Sequence, residues 1–137
     1  MKRVLIADDE PIERMIVTRT IQKYFPEELA VVSAVNGREA VEQFFAENCQ
    51  IALLDIEMPG MSGLEAAEQI RERDKNCSII FLTAFDEFNY ARRAIAVRAM
   101  EYLLKPVVDQ ELEAVLAEAI RIADEHTDDR EAGEKKE

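Results

Sequence analysis

Short apolar segments alternate with amphipathic segments along most of the chain. Five runs rich in Val, Ile and Leu have the length and composition of buried strands: residues 3–7, 29–34, 51–55, 78–83 and 101–105. The segments after each run repeat apolar residues at helical spacing, as in Ala40, Val41 and Phe44. This alternation predicts an α/β fold, a single doubly wound (βα)5 domain whose five-stranded parallel sheet is covered by helices on both faces.

The length and composition predict one domain followed by a charged segment. The chain has 137 residues and is 48% hydrophobic, which is enough for one core and too little for two ordinary domains. The last helical pattern, which we expect Asp109 to cap, ends near residue 124. Residues 126–137 read "HTDDREAGEKKE" and carry almost no apolar side chains. We therefore assign residues 1–125 to the domain and 126–137 to a charged linker or tail.

Charge and hydropathy exclude several classes of protein. With 29 acidic and 17 basic residues the net charge is -12, so we expect no direct nucleic-acid binding by this chain. No apolar run approaches the roughly 18 to 20 residues of a membrane helix, and acids follow the N-terminus too soon for a signal peptide. Cys49 and Cys77 lack CxxC spacing and are expected to be reduced thiols. These features indicate a cytoplasmic protein without a membrane partner.

Polar residues that could bind a ligand or take part in catalysis lie at the ends of four of the five predicted strands. Asp8 and Asp9 follow the first strand, Asp55 ends the third, Thr83 ends the fourth and Lys105 ends the fifth. The carboxyl ends of parallel strands lie at one edge of a sheet, where ligands bind. Each feature alone has an ordinary explanation as a turn or a helix cap. Their occurrence together predicts one site formed by these side chains.

The predicted site combines carboxylates with one ammonium group. Like charges a few ångströms apart cost about 1 to 4 kcal/mol per pair, so a cation is needed to offset them. Mg²⁺ suits Asp9 and Asp55 as direct ligands, with Asp8 binding directly or through water. Lys105 and the Thr83 hydroxyl would hold the oxygens of an incoming anion. The site is therefore predicted to accept a phosphoryl group, with the Asp55 carboxylate as nucleophile.

Four motifs together resemble the receiver domain of two-component response regulators: "VLIADDEP", "LLDIEMPGMSGLE", "IIFLTAFDE" and "YLLKPV". The resemblance covers residues 2 to about 125 and implies the flavodoxin-like receiver fold. It also implies that a partner sensor histidine kinase phosphorylates Asp55. Mg²⁺ would be held by Asp9, Asp55 and the backbone carbonyl of Glu57, with assistance from Asp8.

The same resemblance implies a conformational switch rather than an enzyme with a separate substrate. Thr83 and Tyr102 would form the switch pair, and Lys105-Pro106 would be a cis peptide. Phosphorylation would remodel the face formed by the fourth helix, the fifth strand and the fifth helix, which favours a homodimer or another partner. The domain would take part only in its own phosphoryl transfer and autodephosphorylation, and we hypothesise that Phe85 hinders attack by water.

The output of such a switch is open at the level of sequence. Residues 85–106, "FDEFNYARRAIAVRAMEYLLKP", are similar to receivers attached to AraC-type helix-turn-helix domains. No helix-turn-helix pattern follows within the 137 residues. Two hypotheses remain: the receiver portion of a longer transcription regulator, or a stand-alone receiver that acts by protein–protein binding.

Three other classes of protein share part of this pattern. A phosphatase with an aspartate nucleophile would have a second catalytic acid, usually as DxD, and a substrate-capping insertion; here the second acid is Glu57 and the chain has no spare length. An electron carrier of the flavodoxin type would offer hydroxyls and amides to a phosphate, which "ADDEPIE" would repel. A degenerate receiver would lack part of the acidic and basic set that is intact here.

Overall fold

Strands and helices alternate along the chain, as the sequence predicts. The computed structural model describes residues 1–84 and 87–135, with side chains described through residue 127. The strands are β1 (Lys2–Ala7), β2 (Leu29–Ala34), β3 (Ile51–Leu54), β4 (Ser78–Thr83) and β5 (Glu101–Leu104). The helices are α1 (Pro11–Tyr24), α2 (Gly37–Ala46), α3 (Gly63–Arg73), α4 (Phe88–Ala96) and α5 (Asp109–Lys135). The predicted α/β class is confirmed, and each predicted strand lies within one residue of its observed bounds.

All five strands belong to one parallel sheet in the order β2-β1-β3-β4-β5. β1 has β2 on one side and β3 on the other. The connection from β1 to β2 therefore runs toward one edge of the sheet, and the connection from β3 to β4 runs toward the other edge. In doubly wound folds such a reversal opens a crevice at the carboxyl ends of the two strands. The topology therefore predicts where a ligand binds before any side chain is considered.

The sheet has a separate apolar core on each face. Side chains alternate between the faces, so that Leu5 points into one core and Val4 into the other. The first core contains Phe44 of α2 and Ile70 of α3, and the second contains Leu116 of α5. β3 is buried on both faces over its whole length. Because both faces are covered, the residues at its end are held by a rigid strand.

One apolar surface differs from what helical spacing indicates. The periodicity of α1 places Ile12, Met15 and Ile16 on an apolar face together with Ile21, yet only Ile21 of these is buried. Val17 and Ile21 make the contact with the sheet, while Ile12 is 67% exposed. The first half of α1 follows the carboxyl end of β1, and Glu13 and Ile16 line the crevice there. The result is an exposed apolar stripe beside the predicted site.

The last helix is longer than the sequence predicts. α5 begins at Asp109, which is therefore the first helical residue rather than the cap before it, and continues to Lys135. The Nζ of Lys2 donates to the hydroxyl of Thr127 at 2.6 Å and lies 3.7 Å from Asp124. The charged segment contains three Glu and two Lys residues, which favour helix even without an apolar face. The domain boundary near residue 125 stays a prediction.

Among the described residues, no helix combines the length and the hydrophobicity that a membrane span requires.

Candidate functional site

Backbone hydrogen bonds fix the positions of Asp8 and Asp55, each of which lies one residue past the end of its strand. The N–H of Asp8 donates to the carbonyl of Ala34 at 3.2 Å, which extends the pairing of β1 with β2. The N–H of Asp55 donates to the carbonyl of Ala7 at 2.9 Å, which extends the pairing of β3 with β1. Both side chains therefore emerge side by side at the point where the strand order reverses.

Three carboxylates meet at this point. Asp8, Asp9 and Asp55 each offer one oxygen, and these oxygens all lie within 4.8 Å of one another. Asp8 and Asp55 are buried, whereas Asp9 is exposed and opens the cluster toward solvent. Hard oxygen donors at this spacing, with access to water on one side, are the donor set that Mg²⁺ prefers. The residues present therefore fit a magnesium ion.

Lys105 is the positive charge beside the cluster. Its Nζ donates to Asp8 Oδ2 at 2.8 Å and lies 3.4 Å from Asp55 Oδ2 and 3.7 Å from Glu13 Oε2. Burial alone would lower the pKa of Lys105, but the hydrogen bond to Asp8 and the neighbouring negative charges outweigh burial and raise that pKa. The ammonium therefore stays charged and offsets part of the repulsion among the carboxylates.

The Asp55 carboxylate is in an environment that disfavours its charge overall. Burial raises the pKa of Asp55, Lys105 opposes the rise and the negative charge of Asp8 adds to it. One oxygen, Oδ1, accepts a hydrogen bond from the N–H of Ile56 at 2.7 Å. The other oxygen faces Lys105. A desolvated carboxylate that is fixed by its own strand is well placed to act as a nucleophile.

The loop after Asp55 is held by a close backbone approach. The N–H of Gly63 donates to the carbonyl of Ile56 at 2.8 Å, and a Cβ at Gly63 would lie 1.8 Å from the Asp55 carbonyl oxygen. Only glycine fits there. Ser62 caps α3 by accepting from the N–H of Glu65 at 3.1 Å. Gly60 has a φ of +75°, which glycine adopts readily. The start of α3 is thereby fixed directly against the backbone of Asp55.

A cavity of about 640 Å³ leads from the cluster toward α1 and the segment after β5. Its lining includes Asp9, Asp55, Glu57, Ala84 and Lys105. Of the described residues that line it, Lys105 alone is basic. An anion entering this cavity would therefore meet the ammonium of Lys105 next to the Asp55 carboxylate.

The two predicted switch residues and Glu57 lie in different surroundings. Thr83 is fully buried at the end of β4, and its carbonyl accepts from the N–H of Lys105 at 2.8 Å. Tyr102 is half-buried on β5, with its ring centroid 6.2 Å from that of Phe81. Glu57 is exposed at the mouth of the cavity. The Lys105-Pro106 peptide is cis, as expected, and Phe85 lies outside the described residues.

Three residues near the site escaped the sequence analysis. Glu13 approaches Lys105, the Nη1 of Arg14 donates to the Asp8 carbonyl at 2.6 Å, and the hydroxyl of Tyr90 donates to Glu57 Oε1 at 2.9 Å. The positions of Glu13 and Arg14 in the first turns of α1 were a usable signal, because this helix starts at the acidic loop. Tyr90 carried no such signal, since its role depends on where α4 lies.

Comparison with known proteins gives one consistent result. The family model described as the response regulator receiver domain matches residues 4–117. The positive alginate biosynthesis regulatory protein of Pseudomonas aeruginosa is 41% identical over 118 residues, which are 86% of this chain and 47% of that protein. The uncharacterized transcriptional regulatory protein YesN of Bacillus subtilis is 33% identical over 88% of this chain and 33% of its own length.

A solved structure agrees with these matches. The response regulator protein TrrA of Thermotoga maritima, crystallised in complex with Mg²⁺–BeF, has a TM-score of 0.77 and 39% sequence identity. The alignment covers 87% of this chain and 99% of that one. The chain spans about a third to a half of the length of the two curated relatives named above.

The unfavourable environment of Asp55 leads to a prediction about stability and pH. The raised pKa means that the folded state binds a proton at Asp55 more readily than the unfolded state, so the ionised group destabilises the fold. This cost is absent below the ordinary pKa of 3.8 and fully present above the raised one. In chelator-treated protein at pH 7.5, Asp55→Asn should raise the free energy of unfolding by about 1 kcal/mol.

Urea unfolding across a pH series measures this difference, and the gain should shrink as the pH falls through the same window. The exposed Asp124 provides a matched control, since Asp124→Asn should change stability by less than about 0.5 kcal/mol. An Asp55→Asn protein that is less stable than wild type at neutral pH would contradict this account of the site.

Proposed function

This chain belongs to the response regulator receiver domain family, and we propose that it is the phosphoacceptor of a two-component signalling system. In this proposal a partner sensor histidine kinase phosphorylates Asp55 with the help of Mg²⁺, and the modified domain controls an output. One observation carries the proposal: Asp55 Oδ2 lies 3.4 Å from Lys105 within an acidic cluster that faces an open cavity. The proposal assigns the protein to the cytoplasm, where ATP is available to the kinase.

The donor set for the metal consists of Asp9, Asp55 and the backbone carbonyl of Glu57, with Asp8 binding directly or through water. When bound, Mg²⁺ neutralises negative charge on the transferring phosphoryl oxygens. The exposed position of Asp9 keeps this side of the site open to solvent and to exchange of the ion.

The phosphoryl transfer itself makes one bond and breaks one. A carboxylate oxygen of Asp55 attacks the phosphorus of a phosphohistidine, the P–N bond breaks, and its electron pair stays on the kinase imidazole, which takes up a proton. With acetyl phosphate the P–O bond breaks instead and acetate leaves. Lys105 exchanges part of its present contact with Asp8 for a phosphoryl oxygen, and the Thr83 hydroxyl donates to another. Later, water attacks the phosphorus of the acyl phosphate, the P–O bond to Asp55 breaks, and inorganic phosphate leaves the restored carboxylate.

The free energy of these contacts is large enough to drive a conformational switch. Moving a two-state equilibrium from 1:99 to 99:1 takes about 5.5 kcal/mol of differential stabilisation. Hydrogen bonds to a charged group contribute about 1.5 to 3 kcal/mol each, so Lys105 and Thr83 together are of that order. In the proposal Thr83 moves toward the phosphoryl group, and the half-buried ring of Tyr102 turns inward behind it.

The exposed stripe on α1 is the proposed docking surface for the kinase. Ile16 lines the cavity, and Ile12 and Met15 are exposed on α1 within about one helical turn of it. A phosphohistidine must enter this cavity to reach Asp55, so the kinase surface around that histidine covers α1. Apolar side chains next to an acidic mouth suit a partner whose contact surface is apolar with basic residues at its rim.

A second exposed surface supports the proposed homodimer through α4, β5 and α5. Phe88 and Ile95 of α4 are 76% and 75% exposed, and Leu104 of the edge strand β5 is also exposed. A second copy of this chain in the phosphorylated state is the proposed occupant. Sedimentation velocity with Mg²⁺ and beryllium fluoride tests it: a dimer that Ile95→Ser disrupts supports the proposal, and a monomer throughout contradicts it.

The proposed output is transcription control by a further domain, possessed by a longer form of this protein. Support comes from relatives that extend well beyond the matched region and include proteins named as regulators of biosynthesis and transcription. A stand-alone receiver that acts by protein binding is the alternative. The reading frame after codon 137 distinguishes them, since an in-frame DNA-binding domain supports the first and an immediate stop codon supports the second.

Incubation with acetyl phosphate tests the phosphoacceptor proposal. We expect intact mass spectrometry to show one added phosphoryl group in the presence of Mg²⁺ and none after chelation, and the gain should be labile at alkaline pH as acyl phosphates are. Asp55→Asn should abolish the gain. Asp109→Asn, which changes another acid of the same cavity, should keep it. Absence of the gain in wild type, or its persistence in Asp55→Asn, would contradict the proposal.

The kinase surface is tested by comparing two phosphoryl donors. Ile12→Ser should lower the second-order rate of transfer from the phosphorylated cognate kinase about tenfold or more, since burying an Ile contributes about 1.5 to 3 kcal/mol. Its labelling by acetyl phosphate should equal that of wild type, because the small donor needs no docking. Ile95→Ser is the matched control on α4 and should not slow transfer from the kinase. Equal slowing by both substitutions, or by both donors, would contradict docking on α1.

A further inference from the structure

A side-chain hydrogen bond links α4 to the loop that follows Asp55. The hydroxyl of Tyr90 donates to Oε1 of Glu57 at 2.9 Å, across 33 positions of sequence. Glu57 lies two residues after Asp55, at the mouth of the cavity. The ring of Tyr90 is half-buried and packs against the same core as Tyr102. Tyr90 therefore contacts both the segment that contains the phosphoacceptor and the side of the sheet where the switch residue lies.

The opposite end of α4 is fixed by a buried arginine. The guanidinium of Arg71, on α3, donates to the carbonyls of Val97 and Cys77 at 2.7 and 2.8 Å and to that of Arg98 at 3.3 Å. Val97 and Arg98 follow directly after α4, and Arg98 has a φ of +56°. A buried arginine that is satisfied by backbone carbonyls fixes its partners firmly. The end of α4 is thereby tied to α3 and to the start of β4.

The first half of α4 is held more weakly than its end. Among the described residues, its side-chain polar contact to another element is the Tyr90–Glu57 hydrogen bond, while the ion pair of Arg93 with Glu68 belongs to the last turn of the helix. Both lie on the surface, where such pairs contribute little to stability. The start of α4 is thus held by fewer polar contacts than the end that Arg71 fixes, and Tyr90 is its polar contact to the loop after Asp55.

We propose that Tyr90 is a positioning residue for Glu57, and that their hydrogen bond stabilises the unphosphorylated arrangement of α4. The inference rests on the proposed function, in which the carbonyl of Glu57 binds the metal and Asp55 gains about two negative charges. Both changes act on the segment from Asp55 to Glu57. They displace the Glu57 carboxylate from its present place, where it is directed toward α4 by Tyr90. Loss of this hydrogen bond frees the first half of α4 to pivot.

Removal of the Tyr90 hydroxyl should therefore favour the activated form. Because only the unphosphorylated arrangement contains the bond, Tyr90→Phe should bind beryllium fluoride with Mg²⁺ about three- to tenfold more tightly than wild type. Calorimetric titration measures this affinity without any phosphoryl transfer. Thermal unfolding of the ligand-free variant should be equal to wild type or slightly earlier. A residue with a merely structural role would lower stability without raising affinity.

Two further variants isolate the contact. Tyr24→Phe removes a hydroxyl from the end of α1 and should leave the affinity unchanged. In a Glu57→Ala background, which keeps the backbone carbonyl, Tyr90→Phe should have no further effect on the affinity for beryllium fluoride. Equal or weaker binding by Tyr90→Phe, or the same tightening without Glu57, would overturn the inference. If wild type itself binds no beryllium fluoride, the proposed function is wrong and this inference falls with it.

Discussion

Repulsion among carboxylates at the carboxyl edge of the sheet is the constraint on which the rest of this structure depends. Three acids against one ammonium leave a formal charge of -2 at the site. The acids cannot move apart, because Asp8 and Asp55 continue the hydrogen-bond ladders of β1 and β3. The close packing of Gly63 against the Asp55 carbonyl fixes the following loop as well. The fold thus maintains an arrangement that is unfavourable without a cation, which is characteristic of functional sites.

The same constraint explains how the surroundings of the site are used. Lys105 is shared among several carboxylates, so it can transfer its contact to an anion when a metal takes over part of the neutralisation. α1 and α4 border the site on different sides, and each exposes apolar side chains that the sheet does not bury. One helix lines the cavity, where a phosphoryl donor would enter in the proposed function. The other contacts the loop after Asp55 through Tyr90, and in the proposed function it would respond to a change in that loop.

The sequence alone was sufficient to predict the sheet and most of the acidic site, because both follow from local patterns. Strands are marked by short apolar runs, and in a parallel sheet the residues after those runs must meet at one edge. Helical spacing identifies an apolar face but not how far the sheet covers it, which is why Ile12 shares the apolar spacing of Ile21 and yet is exposed. The extension of α5 was missed because its helix formers are charged. Tyr90 was missed because its contact with Glu57 depends on the placement of a whole helix.

The most direct test of the central claim is the thermal unfolding of the protein as a function of Mg²⁺ concentration. If the clustered carboxylates form a metal site, the unfolding temperature should rise and follow a one-site isotherm, with a stabilisation of about 2.7 kcal/mol at a hundredfold excess over the dissociation constant. Asp9→Asn should remove most of this rise, and NaCl at matched ionic strength should not reproduce it. An equal rise with NaCl, or an undiminished rise in Asp9→Asn, would show that general screening of the acidic surface, rather than a site, is responsible.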